Sequence, residues 1–124
     1  MSLIRRKKAR AFGLRAETVA ALLLRLKGYA ILARNYRLQG GEIDLIARRG
    51  KNLVFVEVKA RPTLDAARLA LNPGQTARMS RAARGWLSRH PEAAGLNLRA
   101  DAIFIAPGHW PHHLEAATPL DLFL

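Results

Sequence analysis

The chain contains no cysteine. Disulfides and thiolate zinc sites are therefore excluded, and a reducing compartment such as the cytoplasm is the expected setting. Acidic residues are scarce, with 9 Asp and Glu against 21 Lys and Arg. Long apolar runs are also missing. The longest in the first half is "VAALLL", Val19 to Leu24, far too short to span a bilayer, so no membrane partner is expected. Glu17 before that run, Arg25 after it and the lack of a small-residue cleavage site argue against a signal peptide. The Arg-rich start leads straight into a strand pattern, which argues against a transit peptide. No repeat, low-complexity linker, glycine-rich phosphate loop or Ser/His/Asp arrangement is present.

What remains is a chain of 124 residues, half of them hydrophobic, enough for one compact domain with a real core. The formal net charge of +12 favours a polyanionic partner, chiefly nucleic acid. Enriched arginine and solubility would also produce such a charge without any specific partner. Ten of the basic residues precede Gly40, where Glu17 is the only acid. Arg5, Arg6, Lys7 and Lys8 form a run that reads as a solvated tail, with phosphate contact as its second reading. Residues 1–10 are thus expected to be a flexible basic tail and residues 11–124 a single domain.

The spacing predicts an amphipathic helix from about Ala11 to Lys27, with Leu14, Val19, Leu22, Leu23 and Leu26 on its apolar stripe and Gly28 ending it. Strands are predicted in "YAILARNYRLQ", "EIDLIAR" and "NLVFVEVKAR". A loop or short helix follows Arg61-Pro62 through Leu71. A second long helix follows in "NPGQTARMSRAARGWLSRH", with Asn72 as N-cap and Pro73 at its first position. "LRADAIFIA" reads as a buried fourth strand, and the tail could add a short edge strand. This order predicts an α/β sandwich with a mixed sheet flanked by helices.

The second and third strands form a hairpin if Gly50-Lys51 is its two-residue loop, a type II′ signal. Asp44 then falls opposite Glu57, and Glu42 opposite Lys59. Alternation places Ile43, Leu45, Ala47, Val54, Val56 and Val58 on an apolar face, and Glu42, Asp44, Glu57 and Lys59 on the other. Glu42 and Lys59 would make a cross-strand ion pair. Two carboxylates facing each other repel and destabilise the sheet. A divalent cation between them would relieve that repulsion and take their oxygens as ligands. Glu17, with Ala20 and Ala21 at helical spacing, adjoins the apolar stripe and needs a partner there, or reaches solvent or Arg10.

Asp44, twelve intervening residues and then Glu57-Val58-Lys59 resemble the D…ExK core of the PD-(D/E)xK nuclease superfamily. With Glu17 upstream, the pattern is similar to the Holliday-junction resolvase branch. "GYAILARNYR", "GEIDLIA" and "LVFVEVKAR" resemble the bacterial YraN-like family, a group named as endonuclease-like. The resemblance implies a restriction-endonuclease-like α-β-β-β-α-β core and hydrolysis of phosphodiester bonds in DNA, branched DNA included. It implies Mg²⁺ or Mn²⁺ held by Asp44, Glu57 and the Val58 carbonyl. Lys59 would orient water or neutralise charge, and Glu17 would bind a second metal or its water. Gln75 would orient phosphate or water from the second helix. Related resolvases work as dimers, so a homodimer is also implied. The chain departs from the superfamily pattern in having Ile43 where a proline often precedes the aspartate, and Gln75 where relatives often carry lysine.

Other residues compete for attention. Arg78 and Arg81 share a helical face and could bind phosphates; a solvated face is the alternative. "HWPHH", His109 to His113, reads as a surface loop before it reads as a zinc site. Asp101 with Arg99 reads first as a buried structural ion pair, with support of the site from the neighbouring strand as its second reading, and Trp86 reads as core. The expected function is a metal-dependent nuclease. The alternative is a nucleic-acid-binding accessory protein that keeps the fold but cleaves little or nothing.

Overall fold

The computed structural model describes residues 3–122, apart from the side chains of residues 5–14. In chain order the elements are α1 (Leu3–Leu26), β1 (Ala30–Leu38), β2 (Gly41–Arg49), β3 (Asn52–Ala60), α2 (Leu64–Leu69), α3 (Pro73–Ser88), a 3₁₀ turn (Pro91–Ala93), β4 (Asn97–Ile105) and β5 (His112–Thr118). The five strands form one sheet in the order β1-β2-β3-β4-β5. Only β3 and β4 are parallel. A parallel pair needs a long crossover, and α2 and α3 lie in it. The result is the expected mixed α/β sandwich.

The β2–β3 hairpin has the expected register, from Arg49 opposite Asn52 to Leu45 opposite Val56. Gly50 takes φ +59 and Lys51 is not in the left-handed region, as a type II′ turn requires.

The division of faces is different from the expected one. Leu45, Ala47, Val54 and Val56 pack with Ala16, Ala20, Ala21 and Leu24 of α1. Ile43, Ile46, Leu53 and Phe55 pack with Met79, Ala82, Ala83 and Trp86 of α3. Both faces are covered, so alternation here separates two apolar cores rather than core from solvent. Ile43 and Ile46 share the α3 side although three residues apart, and so do Ala33 and Tyr36 on the neighbouring strand. Between them lie Asp44 and, across from it, Asn35 with φ +50. Asn tolerates the left-handed region better than most residues. The two strands change face together at the level of Asp44.

The first helix also corrects two expectations. It begins at Leu3 rather than near Ala11, so its backbone runs through the segment expected to be a tail. Leu, Arg, Lys and Ala are strong helix formers, and nothing before Gly13 interrupts them. Its core stripe is built from Ala16, Ala20, Ala21 and Leu24, whereas Val19, Leu22 and Leu26 are exposed. Small side chains let the helix approach the sheet closely; of the expected stripe Leu23 packs against this core and the Leu14 side chain lies outside the described residues. The helix ends in a Schellman arrangement at Gly28 (φ +92), with Tyr29 N donating to Leu24 O at 2.9 Å and Gly28 N to Arg25 O at 3.0 Å. In α3 the Asn72 side chain accepts from Gln75 N, and Pro73 opens the helix, as expected. Among the described residues no helix is long and apolar enough to cross a membrane.

Candidate functional site

Asp44, Glu57 and Lys59 meet where the β2–β3 ladder opens beyond Leu45 and Val56. Asp44 Oδ2 accepts a 2.7 Å hydrogen bond from Val58 N. Lys59 Nζ lies 3.0 Å from Glu57 Oε1, and the lysine is 5 % exposed. A strand holds residues i and i+2 on one side, which is why Glu57 and Lys59 touch. The expected Glu42–Lys59 pair does not form. With the ladder open there, Lys59 turns to its own strand, and Glu42 lies 3.6 Å from Arg37 Nε and 3.9 Å from Arg78 Nη2.

Burial makes these carboxylates hard to ionise. Asp44 is raised from 3.8 to about 7, first by burial and then by the Glu57 charge; Glu17 adds to the rise, while the Val58 amide and Lys59 oppose it. Glu57 is raised as well, again first by burial, with Lys59 opposing. Glu17 is thus within electrostatic reach of Asp44. From the other side of the sheet, Gln75 shares a cavity of about 10 Å³ with Glu57, Leu71, Thr76, Met79 and Thr118. That is room for one water at most. The Gln75 Oε1 atom is buried and has no hydrogen-bond partner. The structure brings Asp44, Glu57 and Lys59 together on β2 and β3, with Gln75 of α3 lining the cavity beside Glu57 and Glu17 of α1 near enough for its charge to reach Asp44.

These residues fit a hard divalent cation in donor chemistry. Asp44 Oδ1 and Glu57 Oε2 accept no hydrogen bond among the described residues. Two half-buried carboxylates of like charge, with the orphaned Gln75 amide oxygen beside Glu57, suit Mg²⁺ or Mn²⁺. Among the described residues no group of three or more His, Cys, Asp or Glu is assembled for a metal. A cation here would rest on two carboxylates and complete its shell with carbonyl and water oxygens.

The family model described as "Uncharacterised protein family UPF0102" matches residues 16–105. The chain belongs to the UPF0102 family. A UPF0102 protein of Methylocella silvestris is 59% identical over 109 residues, covering 88% of each chain. One of Methylorubrum extorquens is 57% identical over 117 residues, covering 94% of this chain and 91% of its own. One of Bradyrhizobium diazoefficiens is 52% identical over 105 residues, covering 85% and 79%. The UPF0102 match contains Glu17, Asp44, Glu57, Lys59 and Gln75, and it stops at the end of β4.

A second polar cluster in this UPF0102 chain surrounds Asp101, whose side chain is fully buried. Arg99 donates to both of its oxygens, at 2.7 and 2.9 Å. Ala116 N donates at 3.0 Å, and His113 Nε2 lies 2.7 Å away. Arg99 also donates to Tyr29 OH at 2.8 Å, and Lys27 Nζ lies 2.8 Å from His113 Nδ1. These donors hold Asp101 down at about 2, although burial alone would raise it. The expected Arg99–Asp101 ion pair forms, with its carboxylate buried. His113 is not in a surface loop. It belongs to β5, its side chain is 1% exposed, and it joins that strand to β4. Alternating exposure along a short polar strand was the only available signal. His112 stacks on Phe104, and Trp86 lies in the α3 core.

Of the residues expected to meet nucleic acid, the side chains of Arg5, Arg6, Lys7 and Lys8 lie outside the described residues. Arg81 donates to Gly40 O at 3.2 Å and so supports the β1–β2 turn. Arg78 instead faces Glu42.

Proposed function

We propose that this chain is a metal-dependent nuclease of the PD-(D/E)xK type, hydrolysing phosphodiester bonds in DNA, with branched DNA among its candidate substrates. The observation that carries the reading is the meeting of Asp44, Glu57 and Lys59 at a half-buried place where two carboxylates face one ammonium, leaving a negative charge that a divalent cation or a proton would neutralise. Stability alone does not favour two half-buried carboxylates side by side. When bound, Mg²⁺ or Mn²⁺ would supply positive charge to the scissile phosphate and acidify the attacking water. Asp44 and Glu57 would hold the cation, with the Val58 carbonyl. The Val58 amide fixes the Asp44 rotamer in advance. Lys59 donates a buried ammonium next to Glu57, well placed to orient water or meet developing charge on phosphate. Glu17 and Gln75 approach from opposite layers and would order water or phosphate around the centre.

The second reading is a nucleic-acid-binding protein with little cleavage. It is favoured by the closed Lys59–Glu57 pair and by Gln75 at a position where resembling nucleases often carry lysine. Incubation with Mg²⁺ or Mn²⁺ and linear, flapped, single-stranded and four-way DNA separates the two. Cleavage that Glu57→Ala abolishes supports the nuclease. Cleavage no greater than that of Glu57→Ala, with DNA binding retained, supports the accessory reading.

A further inference from the structure

We propose that Arg37 and Arg78 form a seat for a nucleic-acid backbone phosphate, which Glu42 occupies until the phosphate displaces it. The inference rests on the nuclease reading and adds to it a position for the strand beside the reacting centre. Two guanidinium groups, one from β1 and one from α3, converge on the single Glu42 carboxylate at 3.6 and 3.9 Å. All three side chains are exposed, at 73% for Arg37, 53% for Arg78 and 41% for Glu42. Contacts this long and this exposed are weak and exchange readily. A phosphate oxygen pair satisfies two guanidinium groups at least as well as a carboxylate does.

The place is built rather than accidental. Gly41 leaves no room for a side chain, since a Cβ there would lie 2.6 Å from Arg78 O and 2.8 Å from Ala82 N. The start of β2 therefore lies directly against the turn of α3 that carries Arg78. Arg81 fixes the same turn through Gly40 O. The position also adjoins the reacting centre, because the charges of Glu42 and Arg78 are both felt at Glu57. A phosphate replacing Glu42 would sit within electrostatic reach of Glu57.

The test is anisotropy of a labelled DNA duplex titrated with protein in Ca²⁺, across a range of salt. Glu42→Gln should tighten binding about two- to five-fold, the range expected for releasing exposed ion pairs, and steepen the salt dependence. Glu92→Gln makes the same charge change on the 3₁₀ turn, at the hairpin end of the sheet, and should do much less. Arg37→Gln and Arg78→Gln should each weaken binding and flatten the log–log salt slope by about one. Arg78→Lys should restore part of the slope. Glu42→Gln added to Arg37→Gln/Arg78→Gln should gain nothing. Equal gains from Glu42→Gln and Glu92→Gln would reduce the effect to net charge and overturn the seat. Unchanged slopes in both arginine variants would overturn it too, while cleavage by the wild-type chain would leave the nuclease reading standing. A wild-type chain that binds no DNA removes both.

Discussion

The Asp44 carboxylate is anchored by the amide of Val58, the residue directly after Glu57. One backbone N–H thus holds one carboxylate in place beside the other. Lys59, on the far side of Val58, holds Glu57. Three consecutive residues of β3 therefore organise both carboxylates, and the cost of burying them is met by whatever neutralises them. Asp44→Asn keeps an oxygen to accept from Val58 and removes the charge. At pH 8 we expect this variant to be more stable than the wild type by about 1–3 kcal/mol, measured by urea unfolding. Mn²⁺ should bind the wild type and not the variant in calorimetry. A variant less stable than wild type at pH 8 would mean that the carboxylate is not desolvated.

Two aspartates give the stability profile opposite slopes. The folded-state value for Asp44, about 7, lies above its ordinary 3.8. Its penalty is absent below pH 4, grows between pH 4 and 7, and is complete above. Asp101 is held at about 2, below the same ordinary value. Its contribution, about 2 kcal/mol, is complete above pH 4 and is lost as the pH falls towards 2. We expect unfolding free energy to peak on the mildly acidic side and to decline towards pH 7 in the absence of divalent cation. Asp44→Asn should remove much of that decline without changing the acid limb.

Cation binding should reverse the same decline. A ligand that binds only the folded chain raises its stability by an amount set by concentration over Kd. We expect Mn²⁺ to raise the melting temperature of the wild type more at pH 8 than at pH 5, because protons compete for the Asp44 oxygens at the lower pH. Asp44→Ala and Glu57→Ala should show no Mn²⁺-dependent shift. A shift of equal size in all three proteins would place the cation elsewhere.

Much of this arrangement is legible in the sequence where the signals are local. The Gly50-Lys51 loop specifies the register from Arg49–Asn52 to Leu45–Val56; the ladder ends there, one position short of Asp44 and Glu57, and it is the Val58 amide that holds Asp44 near β3. The Asn72-Pro73 start and the Gly28 stop are similarly readable. The wet or dry state of each sheet face is not. Alternation says that two faces differ, but α3 covers the face that carries Ile46, Phe55 and Glu57. The α1 stripe is misleading because hydrophobic size does not by itself mean burial, and close packing selects Ala16, Ala20 and Ala21. Partners distant in sequence are invisible. No local pattern joins His113 to Asp101, or Arg78 to Glu42.

The Asp101 cluster should matter to stability and not to the reaction. His113→Ala removes one partner of a fully buried carboxylate and opens space beside it. We expect a loss of about 2–4 kcal/mol in urea unfolding, the cost of leaving a buried charge underpaired. Any nuclease activity measured well below the melting temperature should be retained. A loss of activity without a loss of stability would join this cluster to the reacting centre.

Gly41 and Gly50 make a contrast that separates sterics from backbone conformation. Gly50 has φ +59, and nothing lies within 4 Å of the position a Cβ would take, so Gly50→Ala should cost only the left-handed penalty of about 1 kcal/mol. Gly41 has no such φ, yet its Cβ would meet the main chain of α3 at 2.6 and 2.8 Å. Backbone cannot swing aside as a side chain can, so Gly41→Ala must push α3 away from β2. We expect a cost of about 1–3 kcal/mol, larger than that of Gly50→Ala. The displaced helix carries Arg78, so Gly41→Ala should also weaken DNA binding and flatten its salt dependence in the same sense as Arg78→Gln. Gly50→Ala, at the far end of the hairpin, should leave binding alone. If the two alanine variants were equally stable, β2 would have room to spare against α3 at Gly41, and the placement of Arg78 against Glu42 would loosen with it.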